Sequence, residues 1–242
     1  MNTKRSFALG GILLGAFGLW TAILHFMDVQ AIGPRESAVG LATLNRFFHN
    51  LIGVHMQLYT ITDWLGLVPV AFGFGFAILG LCQWICRKKI WKVDGDILVL
   101  GVYYLAMLGV YLLFERFVVN YRPVLIAGYL EASYPSSTTL LVMCVMPTAM
   151  MQLHARIKNV LFRRVVLFAV GAFTVLMVLG RLIAGVHWLT DIIGAALLSA
   201  GLVLLLPDTE PLLAQPYRCF LQYNGSTLAV SSVRVPLHRS WI

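Results

Sequence analysis

His187 and Asp191 stand four residues apart, and Arg181 lies six residues before the histidine. A helix beginning here would set the imidazole and the carboxylate on one face. The carboxylate could then accept the proton of one ring nitrogen and leave the other free as a nucleophile or base. Arg181, just across a tight turn, offers a planar fork of N–H donors that fits two phosphate oxygens. Two further clusters could serve the same anion. Ser136 and Ser137 follow Pro135, with Thr138 and Thr139 behind them, and suit the start of a helix, where free backbone N–H groups hold anions. Arg122 precedes Pro123, with Glu115 and Arg116 upstream. Singly, each cluster has an ordinary structural explanation: a bond between helices, a helix cap, a surface charge. Jointly they supply two or three arginines, a helix N-terminus and a His/Asp pair, for which phosphate chemistry is the economical explanation.

The elements that must position these groups are apolar. Of 242 residues, 60% are hydrophobic and 12% charged, and the mean hydropathy is +0.83. So few charges cannot solvate a soluble surface, which excludes a disordered chain, a nucleic-acid module and an ordinary cytosolic enzyme. The sequence predicts an all-α polytopic membrane protein. Crossing about 30 Å of hydrocarbon takes roughly 20 residues, and six uncharged windows answer to that: 7–27, 64–85, 97–114, 138–153, 165–180 and 189–206. The last three are short or carry Asp191, so they are expected to pack inside the bundle. The first is too long for a signal peptide and lacks a small-residue cleavage site, so it reads as a retained span.

Between the first and second spans, Leu41, Leu44, Phe47, Phe48, Leu51 and Ile52 recur at helical spacing with Asn45, Arg46, His49 and Asn50 among them. This pattern predicts an interfacial amphipathic helix, a cap over the bundle or a substrate gate. With both termini cytoplasmic, thirteen of the eighteen basic residues fall inside, as the positive-inside bias requires. The three polar clusters then share the outer face. Residues 1–207 form a single membrane domain and 208–242 a cytoplasmic tail, where the sequon at Asn224 would never meet the glycosylating enzyme. Cys82, Cys86, Cys144 and Cys219 form no C-x-x-C pair and read as packing residues; no metal or other cofactor is implied.

The order and spacing of the clusters resemble the type-2 phosphatidate phosphatase and acid phosphatase superfamily, whose lipid-acting members are six-helix membrane proteins. Its pattern is Lys, six residues, Arg-Pro; then Pro-Ser-Gly-His; then Ser-Arg, five residues, His, three residues, Asp. Over residues 97–207 this chain keeps Arg122-Pro123, Pro135-Ser136 and Arg181, His187 and Asp191 at the same spacing. Glu115 stands where the pattern has Lys, with Arg116 one residue on; Gly180 stands for Ser, and Thr138 for the His of Pro-Ser-Gly-His.

The resemblance implies that His187 is the nucleophile forming a phosphohistidine and Asp191 its orienting partner. Arg122 and Arg181 would clamp the phosphoryl oxygens, helped by Arg116 and the 136–138 turn. The missing histidine would be the acid that protonates the leaving oxygen, a role threonine cannot fill. A lipid diphosphate releases phosphate, whose relevant pKa is about 6, without such help. A polyprenyl diphosphate is therefore the expected substrate over phosphatidate, with Glu131 a candidate replacement acid. The alternatives are a noncatalytic relative that binds or moves lipid phosphates and a small channel with His187 and Asp191 as proton relay.

Overall fold

Apolar runs of this length must satisfy their backbone internally, and in this chain they do so as helices. The computed structural model describes residues 3–206. Within them run α1 (Thr3–Phe26), α2 (Ala42–Ile52), α3 (Met56–Leu65), α4 (Leu67–Arg87), α5 (Gly95–Arg116), α6 (Ser137–Arg156), α7 (Val160–Ile183) and α8 (Leu189–Leu204). A two-stranded antiparallel ribbon, β1 (Gln30–Ala31) and β2 (Ala38–Val39), links α1 to α2. The tail, with Cys219 and Asn224, lies outside the described residues.

Among the described residues, five helical stretches are long and apolar enough to cross a membrane: α1, α3 with α4, α5, α6 and α7; α8 is a shorter apolar helix. The second window, 64–85, is corrected. Gly66 is helical (φ −59°, ψ −18°), so α3 runs almost directly into α4. The combined 32 residues are longer than a bilayer core at about 1.5 Å per residue. The fourth and fifth windows are also longer as helices, because their ends take in charged residues such as Arg163, Arg164 and Arg181.

α8 packs mainly against α1 and α6, and α6 also meets α4, α5 and α7. α6 and α8 are therefore interior, as expected, but α7 is not. It rests chiefly on α6 and α3, with fewer contacts to α8, and leaves Phe168, Val175 and Leu176 exposed. Ile12 and Leu19 on α1, Phe74 and Ile85 on α4 and Leu105 on α5 complete an apolar belt suited to lipid. Phe17, Leu24, Tyr134, Leu140, Cys144 and Leu198 fill one core cluster, and Val142, Met146, Val170 and Met177 the other. Cys82 and Cys86 lie on the exposed side of α4 rather than in the packing.

The amphipathic helix forms as α2, with the polar Asn45 on its buried side beside Ala42. Asn45 is fully buried, while Leu44, Phe47 and Leu51 are exposed. The reason is Asn45 itself: its amide donates to the Gly40 carbonyl and Thr190 Oγ1, both at 2.9 Å, and its oxygen accepts from Thr190 N. These bonds tie α2 to the start of α8, and Arg46 and Asn50 stay exposed together with the apolar residues.

At the far end of α6, Arg156 Nη2 lies 3.2 Å from Oδ2 of the buried Asp96, joining α5 to α6. Removing one partner strands the other charge, a loss of about 3 kcal/mol. Asp96→Ala should therefore lower the Tm of the detergent-solubilised protein clearly more than Asp96→Leu combined with Arg156→Met.

Candidate functional site

Three chain segments meet at the opposite end of the bundle. The 117–136 connection folds back on itself through bridges Tyr121 to Ala132 and Ile126 to Tyr129, reinforced by Arg122 N to Glu131 O (3.1 Å) and Ser133 N to Asn120 O (2.9 Å). This hairpin carries Asn120, Arg122 and Ser133. The turn between α7 and α8 carries His187. Gly185 is required there: its φ is +67°, and a Cβ would run into the Gly53 carbonyl of the α2–α3 link. Trp188 Nε1 donates to Tyr121 O at 2.7 Å, fastening the turn to the hairpin.

The partners of His187 decide its tautomer. Nε2 lies 3.2 Å from Arg122 Nη1 and 3.3 Å from Arg181 Nη2. Guanidinium groups only donate, so Nε2 is the acceptor and carries a lone pair. Nδ1 faces the Ser133 carbonyl at 3.1 Å, which only accepts, so Nδ1 carries the proton. Burial, then the positive charges of Arg122 and Arg181, hold the imidazole pKa well below the ordinary histidine range. The ring is thus neutral, with its Nε2 lone pair turned toward two cations.

Asp191 does not touch that ring as the sequence spacing suggested. The Oδ2 to Nδ1 separation is 3.9 Å, because His187 precedes α8 and Ser133 stands between. Ser133 Oγ lies 3.1 Å from Nδ1 and donates to Asp191 Oδ2. The same Oδ2 accepts from Trp188 N at 2.9 Å, capping α8, and Oδ1 accepts from Asn120 Nδ2 at 3.3 Å. Asp191 is thus linked to the imidazole through the Ser133 hydroxyl.

Each arginine is held from behind. Arg122 Nε is 3.0 Å from Glu131 Oε2, so Glu131, proposed from the sequence as an acid, serves as an ion-pair partner. Arg181 is gripped by α3. Its guanidinium carbon lies 4.9 Å from the Tyr59 ring centroid, and Nη1 is 3.4 Å from Thr62 Oγ1 and 3.7 Å from Asp63 Oδ1. Gly180 makes this possible. A Cβ there would come within 2.8 Å of Thr62 Cγ2. Where the resembled pattern has Ser before Arg, this chain has space, filled by the Thr62 methyl group from another helix.

The other expected residues fall as follows. Ser136 is the N-cap of α6 and fully buried, but its hydroxyl donates to Thr139 Oγ1 at 3.0 Å and accepts no cap bond from a backbone N–H. Ser137 shares the wall of a small cavity with His187. Ser137 and Thr138 also line a larger cavity of about 380 Å³ with Asp63, Gly66 and the apolar Leu67, Met107 and Leu141. Arg116 is not brought to the cluster: it is exposed at the end of α5, with its guanidinium 5.8 Å from the Phe117 ring.

Asn120, Ser133, Tyr59, Thr62 and Asp63 were not singled out from the sequence. Their one signal was polarity beside apolar runs, which many surface residues share.

No curated protein matches the chain. Among solved structures, the crystal structure of the first transmembrane PAP2 type phosphatidylglycerolphosphate phosphatase from Bacillus subtilis is similar at 20% identity and a TM-score of 0.44, covering 81% of this chain and 92% of that one. The family model described as the PAP2 superfamily matches residues 116–211. The matched stretch includes Arg122, Ser133, Arg181, His187 and Asp191.

Proposed function

We propose that this protein is an integral membrane phosphatase or phosphotransferase that takes a phosphoryl group from a lipid phosphate onto His187. The observation that carries the reading is the convergence of two arginines on the unprotonated nitrogen of a buried, oriented imidazole. A phosphoryl group arriving at Nε2 brings oxygens that accept the N–H groups of Arg122 and Arg181. Those donors then stabilise the charge of an in-line transfer. Ser133 and Asp191 balance the charge gained by the ring as the P–N bond forms. Residues Ser137 and Thr138 open α6 toward the same place with first-turn N–H groups directed outward from the helix. The apolar wall of the 380 Å³ cavity suits a lipid tail.

Thr138 supports a finer reading. Nothing ionisable stands at that position to protonate an alkoxide, so the favoured substrate is a lipid diphosphate such as a polyprenyl diphosphate. The chain is read as six spans with α8 the sixth, both termini cytoplasmic, and the site on the outer face of the plasma membrane, in line with the distribution of Lys and Arg. No cofactor enters the proposal. A noncatalytic binder of lipid phosphates is the second reading, favoured by the same Thr138.

Purified protein in detergent should release phosphate from farnesyl diphosphate at least about 10²-fold faster than from phosphatidate, the usual scale of a missing acid. His187→Ala should abolish release without changing the Tm, and Thr138→His should raise the phosphatidate rate. An unchanged rate in His187→Ala rules out the covalent step; binding of substrate by wild-type protein without any release supports the noncatalytic reading.

The depressed pKa of His187 has a definite sign. A protonated ring would lack the lone pair, and lowering the pKa keeps the neutral form as pH falls through the ordinary histidine range near 6.5. With ¹⁵N-labelled histidine, the His187 signals, identified by their loss in His187→Ala, should stay in the neutral Nδ1–H pattern down to about pH 5.5. Titration near 6.5 would contradict this environment.

A further inference from the structure

We propose that Asp63, on α3, is the general base that activates water to split the phosphohistidine. This rests on the phosphatase reading above and concerns its second half. Breaking the P–Nε2 bond by water requires a group to take the water proton. Within the cluster the candidates are few. Nε2 of His187 is occupied by phosphorus at that stage. Asp191 is fully buried and engaged by Ser133, Asn120 and the Trp188 N–H. Glu131 is paired with Arg122, and Thr138 cannot act near neutral pH.

Asp63 meets the geometric requirements. Its Oδ1 is 3.7 Å from Arg181 Nη1, while Nη2 of the same guanidinium is 3.3 Å from His187 Nε2. The carboxylate and the nucleophilic nitrogen thus sit on the two arms of one arginine, so a phosphoryl group on Nε2 that engages Arg181 lies next to Asp63. The carboxylate is 59% exposed and forms part of the 380 Å³ cavity wall with Ser137 and Thr138. In an in-line reaction the leaving group departs opposite Nε2, and water must then enter from that same side. The lipid tail fits the apolar part of this cavity, so the vacated position is the one Asp63 faces.

The step balances as follows. The water oxygen forms a bond to phosphorus while its proton passes to a carboxylate oxygen of Asp63. The P–Nε2 bond breaks and its electron pair returns to Nε2, which restores the neutral ring. The products are inorganic phosphate and a protonated Asp63 that returns its proton to solvent through the open cavity. An ionised carboxylate serves this step well and the first step poorly, since it has no proton to give an alkoxide. The assignment therefore also accounts for a site built around a leaving group that needs none.

Rapid-quench kinetics with farnesyl diphosphate in detergent micelles test this. In Asp63→Asn, whose amide can keep the place of the carboxylate beside Arg181, the burst that phosphorylates His187 should keep its wild-type rate. Steady-state phosphate release should fall about 10²-fold or more, and acid-labile, base-stable phosphohistidine should accumulate to nearly one per chain. Asp63→Glu should restore part of the turnover. A wild-type steady-state rate in Asp63→Asn overturns the proposal. So does a parallel fall of burst and steady state, which would make Asp63 only a support for Arg181. Accumulation in Glu115→Gln instead would move the base to the Ser133 side of His187, where Glu115 lines the smaller cavity. Wild-type protein that neither turns over nor labels His187 overturns the phosphatase reading, and this assignment falls with it.

Discussion

Two guanidinium groups share one imidazole lone pair at this site, and most of the surrounding structure answers to that fact. Arg122 and Arg181 are both buried, and two like charges so close repel strongly wherever water is excluded. The arrangement holds because each cation has an acidic partner on its outer side, Glu131 and Asp63, and because Asp191 lies behind the ring. Buried N–H groups are left over as well: Arg122 Nε and Arg181 Nε make no hydrogen bond. The Glu131 carboxylate is close to Arg122 Nε as an ion pair without being aligned with its N–H. Donors of this kind are costly to leave unpaired, and an oxyanion with several acceptor oxygens is the chemical group that satisfies them.

Holding such a cluster in an apolar bundle needs more than helix packing. Lipid tails are as apolar as leucine, so burial does not tell one helix face from another in a membrane. Polar contacts supply the register instead. Asn45 joins α2 to the start of α8, Asn120 bridges Gly40 and Asp191, and Tyr134 reaches across to Thr21 on α1 at 2.7 Å. The result is a network in which the ribbon, the hairpin and the α7–α8 turn each depend on the others. A change at Asn120 would act on Asp191 and on the ribbon together.

The departures of this chain from the resembled pattern have local explanations. Gly180 gives up a hydroxyl and admits Thr62, whose hydroxyl lies against the same arginine. Thr138 gives up an ionisable ring in a cavity that also receives Asp63. In both cases a residue of α3 stands beside the altered position. This helix ends as α4 begins, and its position beside Arg181 follows from the nearly continuous turn through Gly66.

Several features were legible in the sequence because they depend on neighbours along the chain. Apolar length marks the helices, and a period near 3.6 marks α2. The short spacings of Arg181, His187 and Asp191 keep them together around the α7–α8 turn, since so few residues span little distance. What the sequence could not convey is which distant residues come between those that are close. Ser133 separates His187 from Asp191, α3 holds Arg181, and Arg116 points away although Arg122 does not. These outcomes turn on contacts 54 residues apart for Ser133 and His187 and 119 apart for Thr62 and Arg181. No local periodicity encodes such contacts, because they are settled only when the helices pack and every buried donor must find an acceptor.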